Sequence, residues 1–135
     1  MPMIEWNDSY SVKIPSIDAQ HKQLMGYLNQ LFDAMMEGKG GDVVTPILDS
    51  LVSYTREHFA LEEGYFARCG YPDAAAHKEE HQKLIAQVAD FQVQVHRKEA
   101  KVTTDLMDFL KNWLIKHIRG TDMKYSAHLR EHGIS

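Results

Sequence analysis

The chain has few of the features that mark secreted or membrane proteins. Cys69 is the only cysteine, so no disulfide can form within the chain, and a lone thiol is not the framework of a disulfide-bonded fold. No apolar stretch approaches the roughly 18 residues that a transmembrane helix needs, and the polar N-terminus lacks the apolar core of a signal peptide. We therefore expect a cytoplasmic protein with no membrane partner.

Basic residues are neither in excess nor clustered. Fifteen lysines and arginines stand against nineteen acidic residues, which gives a formal net charge of -4. Proteins that bind nucleic acid usually present a basic patch or stripe, and none is visible here. The 135 residues are 44% hydrophobic, which is typical of a single domain with one core. The composition therefore predicts neither a nucleic-acid partner nor a second domain.

Turn-forming and helix-breaking residues divide the chain into four segments of helical length. The breaks fall at 38–41, 70–72, 98–104 and 120–121. Within each segment apolar residues recur mostly every three or four positions, as on one face of an amphipathic helix, and no strand-like alternation is present. These residues are Ile17, Leu24, Leu28, Leu31, Met35; Val44, Ile47, Leu51, Phe59, Phe66; Leu84, Ile85, Val88, Phe91, Val95; and Leu106, Leu110, Trp113, Leu114.

Short connections make consecutive helices antiparallel neighbours. We therefore expect an all-α fold, an antiparallel up-down-up-down four-helix bundle over residues 17–119 within a single domain of residues 1–135. Residues 1–16 should form an irregular N-terminal arm held by Trp6, Val12 and Ile14, and residues 120–135 a C-terminal segment with a short helix ending near His132. The predicted helix N-caps are Asp42, Asp73 and either Thr103 or Thr104.

Histidine is the most informative residue type in the chain. There are eight, and five of them lie on the apolar faces of the predicted helices. A single core imidazole is commonly satisfied by hydrogen bonds. Five of them, together with the carboxylate of Glu62, would cost stability at every position unless they share a partner, and a metal centre would serve them all. The five are His21, His58, His77, His81 and His117.

Two pairs of these residues are spaced for metal binding. Residues four apart on a helix lie on the same face, with Cβ atoms about 5–6 Å apart. His77 and His81 could therefore bind one ion, whereas His58 and Glu62 offer a terminal nitrogen and a carboxylate able to bridge two ions. The ligand types and their number predict a dinuclear site.

Asp122 joins this set only if a helix is distorted. It follows His117 by five residues, which on a regular helix is a rotation of roughly 140° away from the same face. Gly120 lies between the two residues. We therefore predict that the fourth helix ends or distorts near Gly120 and turns Asp122 toward the other ligands.

These residues and their spacing resemble the hemerythrins, specifically their single-domain bacterial members. The resemblance covers nearly the whole chain, and seven candidate ligands occur in the family's order. The segments that carry it are Trp6, Ser11-Val12-Lys13-Ile14-Pro15-Ser16-Ile17-Asp18-Ala19-Gln20-His21, His58-Phe59-Ala60-Leu61-Glu62-Glu63, Tyr71-Pro72, His77-Lys78-Glu79-Glu80-His81, Trp113-Leu114-Ile115-Lys116-His117-Ile118 and Asp122.

The resemblance implies two iron ions that alternate between Fe2+ and Fe3+, with an oxo or hydroxo group from water as one bridge. It implies that His77, His81 and His117 bind one iron, that His21 and His58 bind the other, and that Glu62 and Asp122 bridge the two. Dioxygen, or a similar small ligand, would then bind reversibly at the second iron for storage, delivery or sensing. We therefore expect an oxygen-binding protein that is not an enzyme.

The spacing around His117 also predicts residues of an oxygen pocket. Leu114 lies three residues before His117 on the same helical face, so its side chain should reach toward the metals. Trp113 and Phe59 are neighbouring candidates for the pocket wall. The alternative for Leu114 is ordinary core packing.

Two other functions remain as alternatives. A di-iron oxidase or peroxidase would use a similar cofactor for chemistry. The pattern H-x-x-E-H at His77 to His81 also fits a zinc metalloprotease with Glu80 as general base. Against the protease, Glu80 is adjacent to His81 and points away from the face that carries both histidines.

The remaining histidines are interpreted as non-ligands: His96 as exposed, and His128 and His132 as part of a solvated C-terminal tail.

Overall fold

The fold is an antiparallel bundle of four long helices. The computed structural model describes residues 3–99 and 101–135. The long helices are α1 (Pro15–Met36), α2 (Gly41–Cys69), α3 (Ala74–His96) and α4 (Thr104–Lys116), and a short α5 (Ser126–Glu131) follows. Within the described residues there is no strand. The predicted all-α, up-down-up-down architecture is confirmed.

The helix ends agree with most of the local sequence signals. At the N-terminus of α4 the hydroxyl of Thr103 accepts a hydrogen bond from the Leu106 N–H at 3.2 Å, so this predicted cap is confirmed. Asp73 occupies the N-cap position of α3, but its side chain makes no capping hydrogen bond. The prediction for Asp42 is wrong, because α2 begins at Gly41 and its N-cap is Gly40, two residues before Asp42. Asp42 instead lies in the first turn, where a carboxylate interacts favourably with the helix dipole.

The N-terminal arm lies against the bundle and is irregular except for a 3-10 turn (Asp8–Tyr10); it ends two residues earlier than predicted, because α1 begins at Pro15. Met1 and Pro2, the first residues of the predicted arm, lie outside the described residues. Val12 and Ile14 are fully buried, as predicted, and Trp6 is partly buried beneath the ammonium group of Lys22, 5.0 Å from the ring centroid. The backbone of Ile4 exchanges two hydrogen bonds with the amide of Asn29 on α1. These contacts hold the arm across the bundle.

The segment after α4 departs from regular α-helix. A π-helical turn (His117–Thr121) leads into a 3-10 turn (Asp122–Tyr125) and then into α5. The predicted distortion near Gly120 and the short helix ending near His132 are therefore confirmed.

The C-terminal segment as a whole is not a solvated tail, so that prediction is wrong for the segment and for His128, although His132 is exposed as predicted. Leu129 and Ile134 are buried in an apolar cluster with Ile14 and Phe66. His128 is half-buried, and its Nε2 lies 2.9 Å from the carbonyl oxygen of Cys69. Apolar residues four to five positions apart, Tyr125, Leu129 and Ile134, therefore anchor a segment that is otherwise mostly polar. His96, by contrast, is exposed as predicted.

Two apolar clusters occupy the bundle interior, one on each side of the histidines. On α1, Ile17 belongs to one cluster and Leu24 to the other, with His21 between them. On α2, Phe59 and Phe66 flank Glu62 in the same way. The polar residues therefore form a layer between two apolar regions.

No helix in residues 3–99 and 101–135 is both long and apolar enough to cross a membrane.

Candidate metal centre

The structure brings all seven predicted ligands together. They come from α1, α2, α3, the π-helical turn and the 3-10 turn after it, and each is only 0–4% exposed. The seven are His21, His58, Glu62, His77, His81, His117 and Asp122.

Their ligand atoms form two adjoining clusters. The three-histidine cluster contains Glu62, His77, His81 and His117, and the two-histidine cluster contains His21, His58, Glu62 and Asp122. Within each cluster the ligand atoms lie within 4.8 Å of one another. Because Glu62 belongs to both clusters, the arrangement is that of two neighbouring sites with a shared carboxylate.

Asp122 is also directed toward both groups of histidines. Its Oδ1 lies 3.0 Å from Nε2 of His77 and 3.1 Å from Nε2 of His117. Its Oδ2 lies 3.1 Å from Nε2 of His21. A carboxylate whose two oxygens face two different sets of nitrogens has the arrangement of a bridging ligand.

A single oxygen of Glu62 faces histidines of both clusters. Its Oε1 lies 3.2 Å from Nε2 of His58 and 3.3 Å from Nε2 of His81. Its other oxygen accepts a hydrogen bond from the hydroxyl of Tyr125, which is fully buried. Sequence reasoning did not identify Tyr125, although its position three residues after Asp122 places it near the site.

Most of the converging atoms are close together without being hydrogen-bonded. Despite the short distances, five of them have no hydrogen-bond partner among the described residues: Nε2 of His21, Nε2 of His77, Oε1 of Glu62 and both oxygens of Asp122. Buried polar atoms in proteins are nearly always paired, so this many unpaired atoms at one point need an explanation. A metal ion explains them, because ligand lone pairs then point at a common centre instead of at one another. Imidazole nitrogen and carboxylate oxygen are also suitable donors for iron.

The π-helical turn is what places Asp122 in the site. The N–H of Asp122 donates to two carbonyl oxygens, that of His117 five residues earlier and that of Ile118 four residues earlier. A regular α-helix makes only the second of these bonds. The first is a π-helical bond, and the extra residue it spans turns position 122 back toward the face that carries His117. Insertions of this kind are frequent at functional sites.

The charges in this layer compensate one another even without a metal. Burial alone would raise the pKa of Asp122, but the imidazoles of His117, His21 and His77 hold that pKa well below its usual value. Burial would likewise lower the pKa of His117, but Asp122, Glu62 and Glu80 raise it. The site therefore favours carboxylates in their ionised form, which is the form that binds metal.

Two of the histidines are also held by a hydrogen bond at the ring nitrogen that faces away from the site. Nδ1 of His58 lies 2.7 Å from Oε1 of Gln20, and Nδ1 of His81 lies 2.9 Å from Oε2 of Glu63. Sequence reasoning missed Gln20 and Glu63, although each is adjacent to a predicted ligand. Such partners fix the ring orientation and the tautomer that leaves Nε2 free for metal.

Glu80 lies behind His117 without a hydrogen bond to it, and it does not face the histidine pair of the protease pattern. Its Oε1 lies 3.5 Å from Nδ1 of His117 and accepts a hydrogen bond from the hydroxyl of Thr121. The side chain of Glu80 is 46% exposed. A general base would have to lie on the ligand side of the histidines, so the structure gives no support to the metalloprotease alternative.

A small cavity of about 40 Å³ adjoins the two-histidine cluster. Its walls include all three predicted pocket residues, Leu114, Trp113 and Phe59, together with His21 and His58. The ring of Phe59 stacks on that of His81 with centroids 3.6 Å apart, and the ring of Trp113 stacks on that of His117 at 4.4 Å. The residues that wall the cavity therefore also hold the predicted ligands in place.

A bundle with a buried, histidine-rich metal-binding cluster of this kind defines a class of metalloprotein, and comparison with known proteins identifies the family. Residues 12–129 match the family model described as the hemerythrin HHE cation binding domain. The chain belongs to the hemerythrin family.

Individual relatives agree with the family match over nearly the full length. The chain is 34% identical to a bacteriohemerythrin of Stenotrophomonas maltophilia, over 98% of this chain and 85% of the relative. It is 35% identical to a bacteriohemerythrin of Methylococcus capsulatus, over 93% of this chain and 95% of the relative. A crystal structure of a hemerythrin mutant is similar with a TM-score of 0.92, at 34% identity, and covers 96% of this chain and 98% of that one.

Proposed function

We propose that this protein binds two iron ions and uses them to hold dioxygen reversibly. The observation that carries the proposal is the pair of buried clusters that share Glu62, with unpaired ligand atoms converging on two neighbouring points. Its relatives carry the name bacteriohemerythrin, which is consistent with this function.

The proposed ligands follow the two clusters. The first iron would be held by His77, His81 and His117, and the second by His21 and His58. Glu62 and Asp122 would be shared by both ions, and an oxo or hydroxo group from water would complete the site. The pair of ions, cycling between Fe2+ and Fe3+, would supply two electrons to dioxygen on binding and recover them on release.

The cavity supports an assignment of the position that the small ligand reaches. Its walls include both histidines of the two-histidine position, His21 and His58, but only His117 of the other three. We therefore infer that the ligand binds at the position with fewer histidine ligands, which is more widely open to the cavity. Apolar walls keep water away from the bound ligand, which is needed if the ligand is to leave unchanged.

The donor set favours a carrier over an oxidase. Only two of the seven proposed ligands are carboxylates, whereas ferritin-like di-iron centres use glutamates from all four helices. We infer a site that is less electron-rich and that stops at reversible binding. The proposed role is therefore oxygen storage, delivery or sensing in the cytoplasm, and not enzymatic turnover.

Anaerobic reduction followed by oxygen titration tests the proposal. The iron-loaded protein should contain two irons per chain, become coloured on exposure to oxygen and lose that colour under vacuum over repeated cycles. The control is His96→Ala, which removes an exposed histidine and should leave these properties unchanged. His58→Ala should abolish oxygen binding. A colourless zinc protein, or a colour that cannot be reversed, would contradict reversible dioxygen binding.

A further inference from the structure

The two clusters differ in the groups behind their histidines. In the three-histidine cluster, His81 and His117 both have a carboxylate next to the nitrogen that faces away from the site. In the two-histidine cluster, His58 has only the neutral amide of Gln20. Among residues 3–99 and 101–135, neither Nδ1 of His21 nor Nδ1 of His117 has a hydrogen-bond partner, but His117 has the carboxylate of Glu80 at 3.5 Å.

We propose that Glu63 and Glu80 are positioning residues that strengthen metal binding at the three-histidine position, so that this position fills before the other. The inference rests on the proposed two-metal site and extends it by assigning an order of filling and the residues that contribute to it.

Glu63 is the stronger of the two carboxylate partners. Its Oε2 lies 2.9 Å from Nδ1 of His81, which is ordinary hydrogen-bond distance. Glu63 directly follows Glu62 on α2, so it points to a different side of the helix and reaches the far side of the His81 ring. Its side chain is 28% exposed, so a substitution there does not disturb the apolar core.

Glu80 is the weaker partner, although it is held in place. At 3.5 Å its Oε1 is farther from Nδ1 of His117, and its side chain is more exposed than that of Glu63. The hydroxyl of Thr121, in the π-helical turn, donates to the same oxygen at 3.1 Å. The turn that places Asp122 in the site therefore also keeps Glu80 beside His117.

A carboxylate and an amide act differently on a metal-binding imidazole. A carboxylate that accepts the N–H of the ring increases electron density at the opposite nitrogen and adds negative charge close to the cation. An amide oxygen fixes the orientation but carries no net charge. Loss of such a partner typically weakens metal binding about 10–100-fold. The effect should be confined to the ion that the imidazole binds.

Stepwise metal titration of the full-length, metal-free protein tests the inference. Cobalt(II) is the probe, because its visible absorption reports coordination without any oxygen chemistry, and competition with a chromophoric chelator gives the two dissociation constants. Wild type should bind two ions in two steps. Glu63→Gln should weaken the first step about 10–100-fold and leave the second nearly unchanged. Glu80→Gln should act on the same step, but less strongly.

Two further variants make the experiment decisive. Glu79→Gln is the matched control: it removes the same charge from the neighbouring residue on α3, which pairs with Lys83 at the surface. It should change neither step. Gln20→Glu gives His58 a carboxylate partner and should tighten the second step. Circular dichroism of the metal-free variants checks that all four keep the wild-type helix content.

The outcomes separate this inference from the proposed function. Wild type that takes up fewer than two cobalt ions overturns both. Wild type that takes up two ions, with Glu63→Gln indistinguishable from Glu79→Gln or weakening both steps equally, overturns the inference and leaves the two-metal site intact.

Discussion

Truncation of Leu114 distinguishes a pocket residue from ordinary core packing. The side chain of Leu114 is 7% exposed and forms part of the cavity wall beside the proposed open metal position. Leu114→Ala removes three carbon atoms from that wall. Both interpretations predict a loss of stability, but only the pocket role predicts a change in oxygen chemistry.

The structure allows both effects to be estimated. At about 0.8 kcal/mol per buried carbon group the transfer contribution is roughly 2.4 kcal/mol, and with the cavity left behind the total should be about 2–5 kcal/mol. The cavity of about 40 Å³ has room for about one water-sized molecule. Since a water occupies about 30 Å³ in the liquid, the truncation makes room for further water molecules beside the polar ligands. If that lowers the barrier to loss of the oxygenated form by only ~1.4 kcal/mol, the decay becomes tenfold faster.

Stopped-flow absorption of the oxygenated protein measures this decay directly. The matched control is Leu48→Ala, the same truncation at a fully buried leucine of α2 that does not line the cavity. Both variants should be less stable than wild type in chemical denaturation. Only Leu114→Ala should lose its oxygenated absorption at least about tenfold faster, measured where all three proteins are folded. Equal decay rates in the two variants would refute the pocket role without affecting the metal assignment.

Three further predictions concern the metal and the ionised groups. Glu62→Ala should lose both irons and not one, because Glu62 belongs to both clusters; metal analysis that finds two irons and an unchanged spectrum would show that it is not a bridge. Removal of the metal should lower the melting temperature, since buried imidazoles and carboxylates then lose their common partner; identical melting curves at matched pH would count against a buried site. Partial burial raises the pKa of Asp49, but hydrogen bonds from Gln92 and His96 and the charge of His96 lower it overall. Its stabilising effect should therefore be present above the unfolded-state pKa of about 3.9 and disappear as the pH falls through the lower folded-state pKa. Urea denaturation of Asp49→Asn should differ from wild type above pH ~5 and agree with it near pH ~2, and a constant difference across this range would contradict the assignment.

The bundle and the clustering of the seven candidate ligands could be predicted from sequence because each candidate ligand on a long helix occupies a core position in the helical repeat. His21 follows Ile17 by four residues and precedes Leu24 by three, so the pattern that predicts the buried face also predicts where the imidazole points. Asp122 was the exception, and it could be placed only by assuming an irregular turn. The assumption was sound because a regular helix would have directed that carboxylate away from His117.

The partners of the histidines could not be predicted in the same way. Gln20 and His21 are consecutive, so on α1 they point about 100° apart. Gln20 reaches His58 only because of how α1 is rotated against α2. Glu63 likewise reaches His81 only because of how α2 is rotated against α3. Rotation and axial offset between two helices depend on how their whole faces pack. The apolar repeat of a single helix does not specify them. The contacts of Gln20 and Glu63 with the histidines therefore follow from the assembled bundle and not from the sequence of one helix.

The described part of the N-terminal arm supplies none of the candidate ligands, yet its contacts explain how an irregular turn persists beside the candidate metal centre. A π-helical turn gives up regular α-helical hydrogen bonds, so contacts elsewhere must stabilise it. Arg119, within that turn, donates to the hydroxyl of Ser9 at 2.6 Å and lies 4.3 Å from the ring centroid of Tyr10. Just beyond the turn, the buried hydroxyl of Ser126 donates to the carbonyl oxygen of Val12. The arm thus binds the chain on both sides of Asp122, and residues far from the ligands in sequence fix the orientation of the carboxylate that faces both clusters.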